Sequence, residues 1–158
     1  MPNKNTNPES GRSLIEIVGV LAIGAIMIAG TFHVYQSVRA RQTRMIAAED
    51  LRDIARKSRL LFAAKNDYAG ISVGYLIKMG AIKTTAAPAV ATAYDIRAEA
   101  DGDRFLINLS GVNFSDCVWA ATQYFDWADE VRANDMVEGS AAENCNRGTP
   151  NKVTIIVR

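Results

Sequence analysis

Residues 17–38 form an unbroken apolar run of 22 positions that carry no formal charge, with His33 counted as neutral. As an α-helix such a run reaches roughly 33 Å, enough for a hydrocarbon core of about 30 Å, so the pattern predicts one membrane span. Beyond it the pattern becomes one-sided. Met45, Ala48, Leu51, Ile54, Ala55, Ser58, Leu61 and Phe62 recur at i, i+3, i+4 spacing, and no Gly or Pro intervenes between Thr31 and Asp67. One helix is therefore predicted to run on from the span, apolar all round in its first half and amphipathic in its second, until Asn66-Asp67-Tyr68-Ala69-Gly70 ends it.

Residues 71–90 mix a short apolar stretch, Tyr75-Leu76-Ile77, with glycines and the loop Thr84-Thr85-Ala86-Ala87-Pro88, and read as a connector holding at most one short helix. Residues 94–98 and 104–109 alternate in character across Asp101-Gly102-Asp103, a hairpin signal. Asn113 or Ser115 can cap a second helix whose apolar positions Phe114, Cys117, Val118, Ala121, Tyr124 and Phe125 keep helical spacing. Residues up to 142 are weakly patterned. After the turn-rich Asn146-Arg147-Gly148-Thr149-Pro150-Asn151, residues 152–157 are β-branched enough for a central strand. The pattern predicts an α+β chain, a long N-terminal helix lying on an antiparallel sheet.

Composition narrows the function. A net charge of +1 and a pI near 7.8 show no basic excess, so no nucleic-acid partner is expected. The single histidine, His33, lies in the span, which leaves the remainder unable to build a Ser-His-Asp or Cys-His site; no enzyme, cofactor or metal is expected. Asp101 and Asp103 flank the glycine of a predicted turn, and Asp126, Asp129 and Glu130 read as a solvated surface. Trp119, Tyr124, Phe125 and Trp127 could form a binding platform but suit core packing better.

Glu16 stands out because Leu14 and Ile15 precede it and the span follows, which puts a carboxylate inside apolar sequence. A charge there costs on the order of 2.5–3.5 kcal/mol at bilayer centre and marks a functional site. Residues 1–11 are polar, contain Pro2 and Pro8 and lack a helical pattern, as expected of a disordered, processed leader. A secretory signal peptide fits less well: its apolar core is about 7–15 residues and ends in a small-x-small site, which Met27-Ile28-Ala29-Gly30-Thr31 does not offer.

Gly11-Arg12-Ser13-Leu14-Ile15-Glu16-Ile17-Val18 resembles the processing motif of type IV prepilins, cut after the glycine and methylated on the new amino terminus, with glutamate fifth after the cut. Residues 29–37, the pair Cys117 and Cys145, and the closing residues 151–157 resemble the type IVb branch, which includes bundle-forming and conjugative thin-pilus pilins. Arg12 departs from the Phe, Met or Leu usual at the first mature position, and the apolar helix lacks the proline of many type IVa pilins.

The resemblance implies a leader over residues 1–11, a membrane-spanning and filament-core segment over 12–38, an amphipathic segment over 39–66 and a globular head over 67–158. It makes Gly11 and Arg12 the cleavage site, Arg12 the N-methylated residue and Glu16 the assembly residue. The implied partners are further copies in a helical filament, the prepilin peptidase, an assembly ATPase with its inner-membrane platform, and membrane lipid before assembly. The positive-inside rule alone would put Arg39, Arg41, Arg44 and the following arginines in the cytoplasm; the motif fixes the leader there instead and the head outside it, in the inner membrane first and on a surface pilus later. In such a compartment Cys117 and Cys145 are expected to form a disulfide, with free thiols or a metal pair as the alternatives. The rival readings are a minor pilin, a type II secretion pseudopilin, or a single-span anchored binding protein.

Overall fold

The computed structural model describes residues 9–65, 67–136 and 140–158, and of residues 9–13 only the backbone. Its elements are α1 (Glu9–Phe62), α2 (Val73–Lys78), β1 (Ala93–Ala98), β2 (Phe105–Val112), α3 (Phe114–Thr122), β3 (Glu130–Ala133) and β4 (Asn151–Val157). The chain divides into two compact units, Met1–Arg41 and Gln42–Arg158.

In the second unit the four strands form one antiparallel sheet in the order β1-β2-β4-β3, so β4 is central as its composition predicts. Alternation puts Ile96, Phe105, Ile107, Leu109, Ala133, Val153, Ile155 and Val157 on one face, all buried. The register sets Ile96 beside Ile107 and Ile107 beside Ile155, a row of β-branched side chains across three strands. The α1 stripe Ala47, Leu51, Ile54, Ala55, Ser58 and Phe62 is buried in the same core. Phe62 reaches the sheet through Tyr68, whose ring lies 5.7 Å from Phe62 and 4.7 Å from Phe105. The helix-on-antiparallel-sheet architecture expected of the pattern is the one observed.

Several details differ from the pattern. Met45 is 72% exposed and Ala47 is buried in its place. The reason is angular: Ala47 lies four residues before Leu51 on one helix face, whereas Met45, six before, lies about a third of a turn away. Residues Glu9–Gly11, expected to lack helical structure, belong to α1; once a long helix exists, each added residue gains a hydrogen bond without a new nucleation cost. At its other end α1 stops at Phe62, where the Lys65 amide closes a turn on the Phe62 carbonyl. Asn66, expected within the ending segment, and the leader residues 1–8 lie outside the described residues.

α3 is capped by Asn113, not Ser115, through the Asp116 amide, and ends at Thr122, short of Tyr124 and Phe125. The Thr122 hydroxyl bonds back to the carbonyls of Val118 and Trp119, and Gln123 is already extended. β3 was not signalled by the pattern. It is four residues long and presents Glu130 and Arg132 away from the core, so little apolar alternation marks it. The β1–β2 turn holds Gly102 at φ 74, where an added Cβ would lie 2.4 Å from Asp67 Oδ1. Gly111 forms a bulge in β2 at φ 71, and a Cβ there would lie 1.9 Å from Thr92 Oγ1.

Candidate functional site

In the first unit α1 offers an apolar surface on every side. No residue of its most apolar stretch is buried, and Ile15, Ile26 and Phe32 are among its many exposed side chains. The helix is long and apolar enough to cross a membrane. Two of its hydroxyls bond back to the helix: the Thr31 hydroxyl donates to the Met27 carbonyl at 2.8 Å, and the Ser37 hydroxyl to that of Val34 at 2.8 Å. Such back-bonding satisfies a hydroxyl within its own helix. A Cβ added at Gly19, Gly24 or Gly30 would meet nothing within 4 Å, so packing inside the chain does not account for these small residues.

Glu16 is exposed on this helix and makes no ion pair with any described residue. Gly11 and Arg12 fall in the same helix, one turn earlier. At the far end of the apolar run Tyr35, Arg39 and Arg41 are exposed. Arg44 is not part of that exposed set: its Nε lies 2.8 Å from Asp116 Oδ1, while Asn113 Nδ2 donates to the other carboxylate oxygen at 2.7 Å. That cluster fixes the start of α3 to α1 within the second unit.

Cys117 and Cys145 form a disulfide with Cα atoms 5.9 Å apart, which resolves the alternatives left by the sequence. It ties α3 to the loop before β4. The same loop is held by a buried amide network that the sequence did not reveal. Asn151 is fully enclosed; its Oδ1 accepts from the Asn146 amide at 2.6 Å and from Asn134 Nδ2 at 3.0 Å, and its Nδ2 donates to the carbonyls of Asn146 and Val112. Asn134, at φ 52, accepts a hydrogen bond from the Lys152 amide on its Oδ1. The one available signal was the pair Asn134-Asp135, residues that tolerate the left-handed region at the end of a strand.

The remaining candidate groups resolve into structure. Phe125 and Trp127 are buried, with rings 5.1 Å apart, and Phe125 meets Trp119 edge-on, whereas Tyr124 is 85% exposed. Asp126 pairs with Arg52, and Arg59 donates to the carbonyls of Trp127 and Arg158. On the sheet face away from α1, Glu130 takes both a 2.7 Å and a 2.8 Å bond from Arg132, which holds its carboxyl below the usual value, with help from Arg104. Among the described residues no group of three or more His, Cys, Asp or Glu side chains could hold a metal ion.

No protein-family model matches the chain, and no curated protein matches it. The chain is similar in structure to TcpA, a type IV pilin from Vibrio cholerae El Tor biotype, whose crystal structure superposes with a TM-score of 0.54 at 15% identity. The match covers 74% of this chain and 99% of that one. At that identity the likeness shows the fold, and the chain has the type IV pilin fold.

Proposed function

We propose that the chain is a structural subunit of a type IV pilus of the type IVb kind. It is cut after Gly11 by a prepilin peptidase, methylated at Arg12, and polymerised through α1 into a surface filament that serves adhesion, aggregation or conjugation. Before assembly it waits in the inner membrane with its head outside the cytoplasm, and an ATPase-driven platform extracts it. The observation that supports this best is the apolar surface of α1 before residue 39: it is unburied among the described residues and joined in sequence to a disulfide-stapled head of pilin fold. Such a surface needs a bilayer first and other copies of itself afterwards.

Glu16 gives the reading its mechanism. In an apolar surround its carboxylate needs a cation, and cleavage after Gly11 creates one, the new amino group of Arg12 on a neighbouring subunit. That pairing makes each insertion register-specific. Glu16→Gln keeps the shape and removes the charge, so the monomer is still processed and inserted while sheared surface filaments fall to a small fraction of wild type. Incorporation of Glu16→Gln subunits as efficiently as wild type would contradict the mechanism.

A further inference from the structure

We propose that a groove in the second unit, between residues 48–60 of α1 and the segment 123–127 after α3, binds a neutral oligosaccharide. The binding itself is independent of filament assembly; only its use in adhesion rests on the reading given under Proposed function. The groove encloses about 1290 Å³, more than the roughly 300–1,000 Å³ of a pocket for one small molecule, so it suits an extended ligand of several rings. Tyr124 lines it and is 85% exposed, whereas Phe125 and Trp127 beside it are buried. An aromatic side chain left in water on a groove wall offers a ligand both an apolar body and a polar tip.

The polar groups of the groove are planar and already held in place. Arg52 on α1 reaches Asp126 on the opposite wall, Nη2 to Oδ2 at 2.9 Å, and Asp53 holds Arg56 at 3.0 Å. A guanidinium has five N–H donors and each of these ion pairs uses one, so donors remain on groups whose positions are fixed before a ligand arrives. Groups ordered in advance lose little freedom on binding.

Charge selects the ligand class. The carboxylates of Glu49, Asp50, Asp53 and Asp126 line the groove with the guanidiniums of Arg52, Arg56 and Arg59, which leaves it close to neutral with one carboxylate in excess. Glu49 and Asp50 make no ion pair among the described residues, so a phosphate or a sialylated sugar would meet uncompensated negative charge. A basic peptide would have to displace the arginines already seated on Asp53 and Asp126. A neutral sugar meets matched groups instead: its hydroxyls donate to the carboxylates and accept from the guanidiniums, and the C–H face of a pyranose packs on the Tyr124 ring.

The test uses the full chain with its disulfide intact in phosphatidylcholine nanodiscs, which keeps sugar detergents out of the sample. Saturation-transfer NMR is run with chitotriose, maltotriose and lacto-N-tetraose as neutral probes and sialyllactose as the anionic one. At least one neutral probe should bind with a Kd below about 10 mM, and sialyllactose should bind at least about tenfold more weakly than that probe. Tyr124→Ala, at an exposed position that the core does not use, should weaken the neutral probe by about tenfold. The double variant Asp95→Asn, Arg97→Gln on β1 should bind it as wild type does. Binding of none of the neutral probes, equal or tighter binding of sialyllactose, undiminished binding in Tyr124→Ala, or a loss in the β1 variant would overturn the proposal. A chain that binds the neutral probe yet enters no surface filament would overturn the pilus reading and leave the sugar site standing.

Discussion

Ser58 and Asn151 are both enclosed polar side chains in the core of the second unit, and their hydrogen bonding sets them apart. Ser58 Oγ has no hydrogen-bond partner among the described residues. Its hydroxyl lost water on folding and gained nothing, so Ser58→Ala is expected to leave stability unchanged or raise it by up to about 1 kcal/mol, read from denaturant melts in detergent. A loss larger than that would show the hydroxyl to be bonded. Asn151 joins β4 to the end of β2, to β3 through Asn134, and to the disulfide-bounded loop. Asn151→Ala strands several buried partners at once and should cost on the order of 2–4 kcal/mol in the same melts. Sequence could flag Ser58 as a member of the helical stripe. It could not flag Asn151, because an asparagine beginning a strand after a turn-rich segment looks like surface until the loop folds over it.

Elements were legible in proportion to their length and one-sidedness. The long helix, the β1–β2 hairpin, the Asn113-capped helix and the central β4 strand each follow from period or turn chemistry that tertiary contacts reinforce. β3 was not legible, since its register comes from pairing with β4 and its outward Glu130 and Arg132 interrupt any apolar signal. Phe125 illustrates the converse: it keeps helical spacing with α3 yet reaches the core from the loop after it, packed on Trp119 and Trp127. The disulfide joins two elements that are otherwise held by the asparagine network, so cross-linking them constrains the unfolded chain over 28 residues. Replacing Cys117 or Cys145 by serine should cost about 3–4 kcal/mol by the loop-entropy estimate. Membrane insertion should be unaffected, because the bridge lies in the second unit. A variant that melts with wild type would show that the asparagine network alone holds the loop.

At the scale of the whole molecule, the two units answer different demands. The second unit holds a core built from the sheet face and the buried stripe of α1, and the chain has the type IV pilin fold. The most apolar stretch of α1 is not buried among the described residues, and the proposed function gives it lipid and then other copies as partners. The long apolar helix was legible from its uncharged run, and Glu16 stands out in the sequence because charge is so rare in apolar sequence. No partner for Glu16 was legible, and none is paired with it among the described residues; the proposed pairing lies between copies. The central claim is that cleavage after Gly11 converts a membrane monomer into a filament subunit. The measurement that tests it most directly is mass spectrometry of the amino terminus of the chain in sheared cell-surface filaments. The account predicts a subunit that begins at Arg12 and carries an added methyl group on its α-amino nitrogen. Surface filaments lacking this chain, or a chain that stays in the membrane with residues 1–11 still attached, would contradict it.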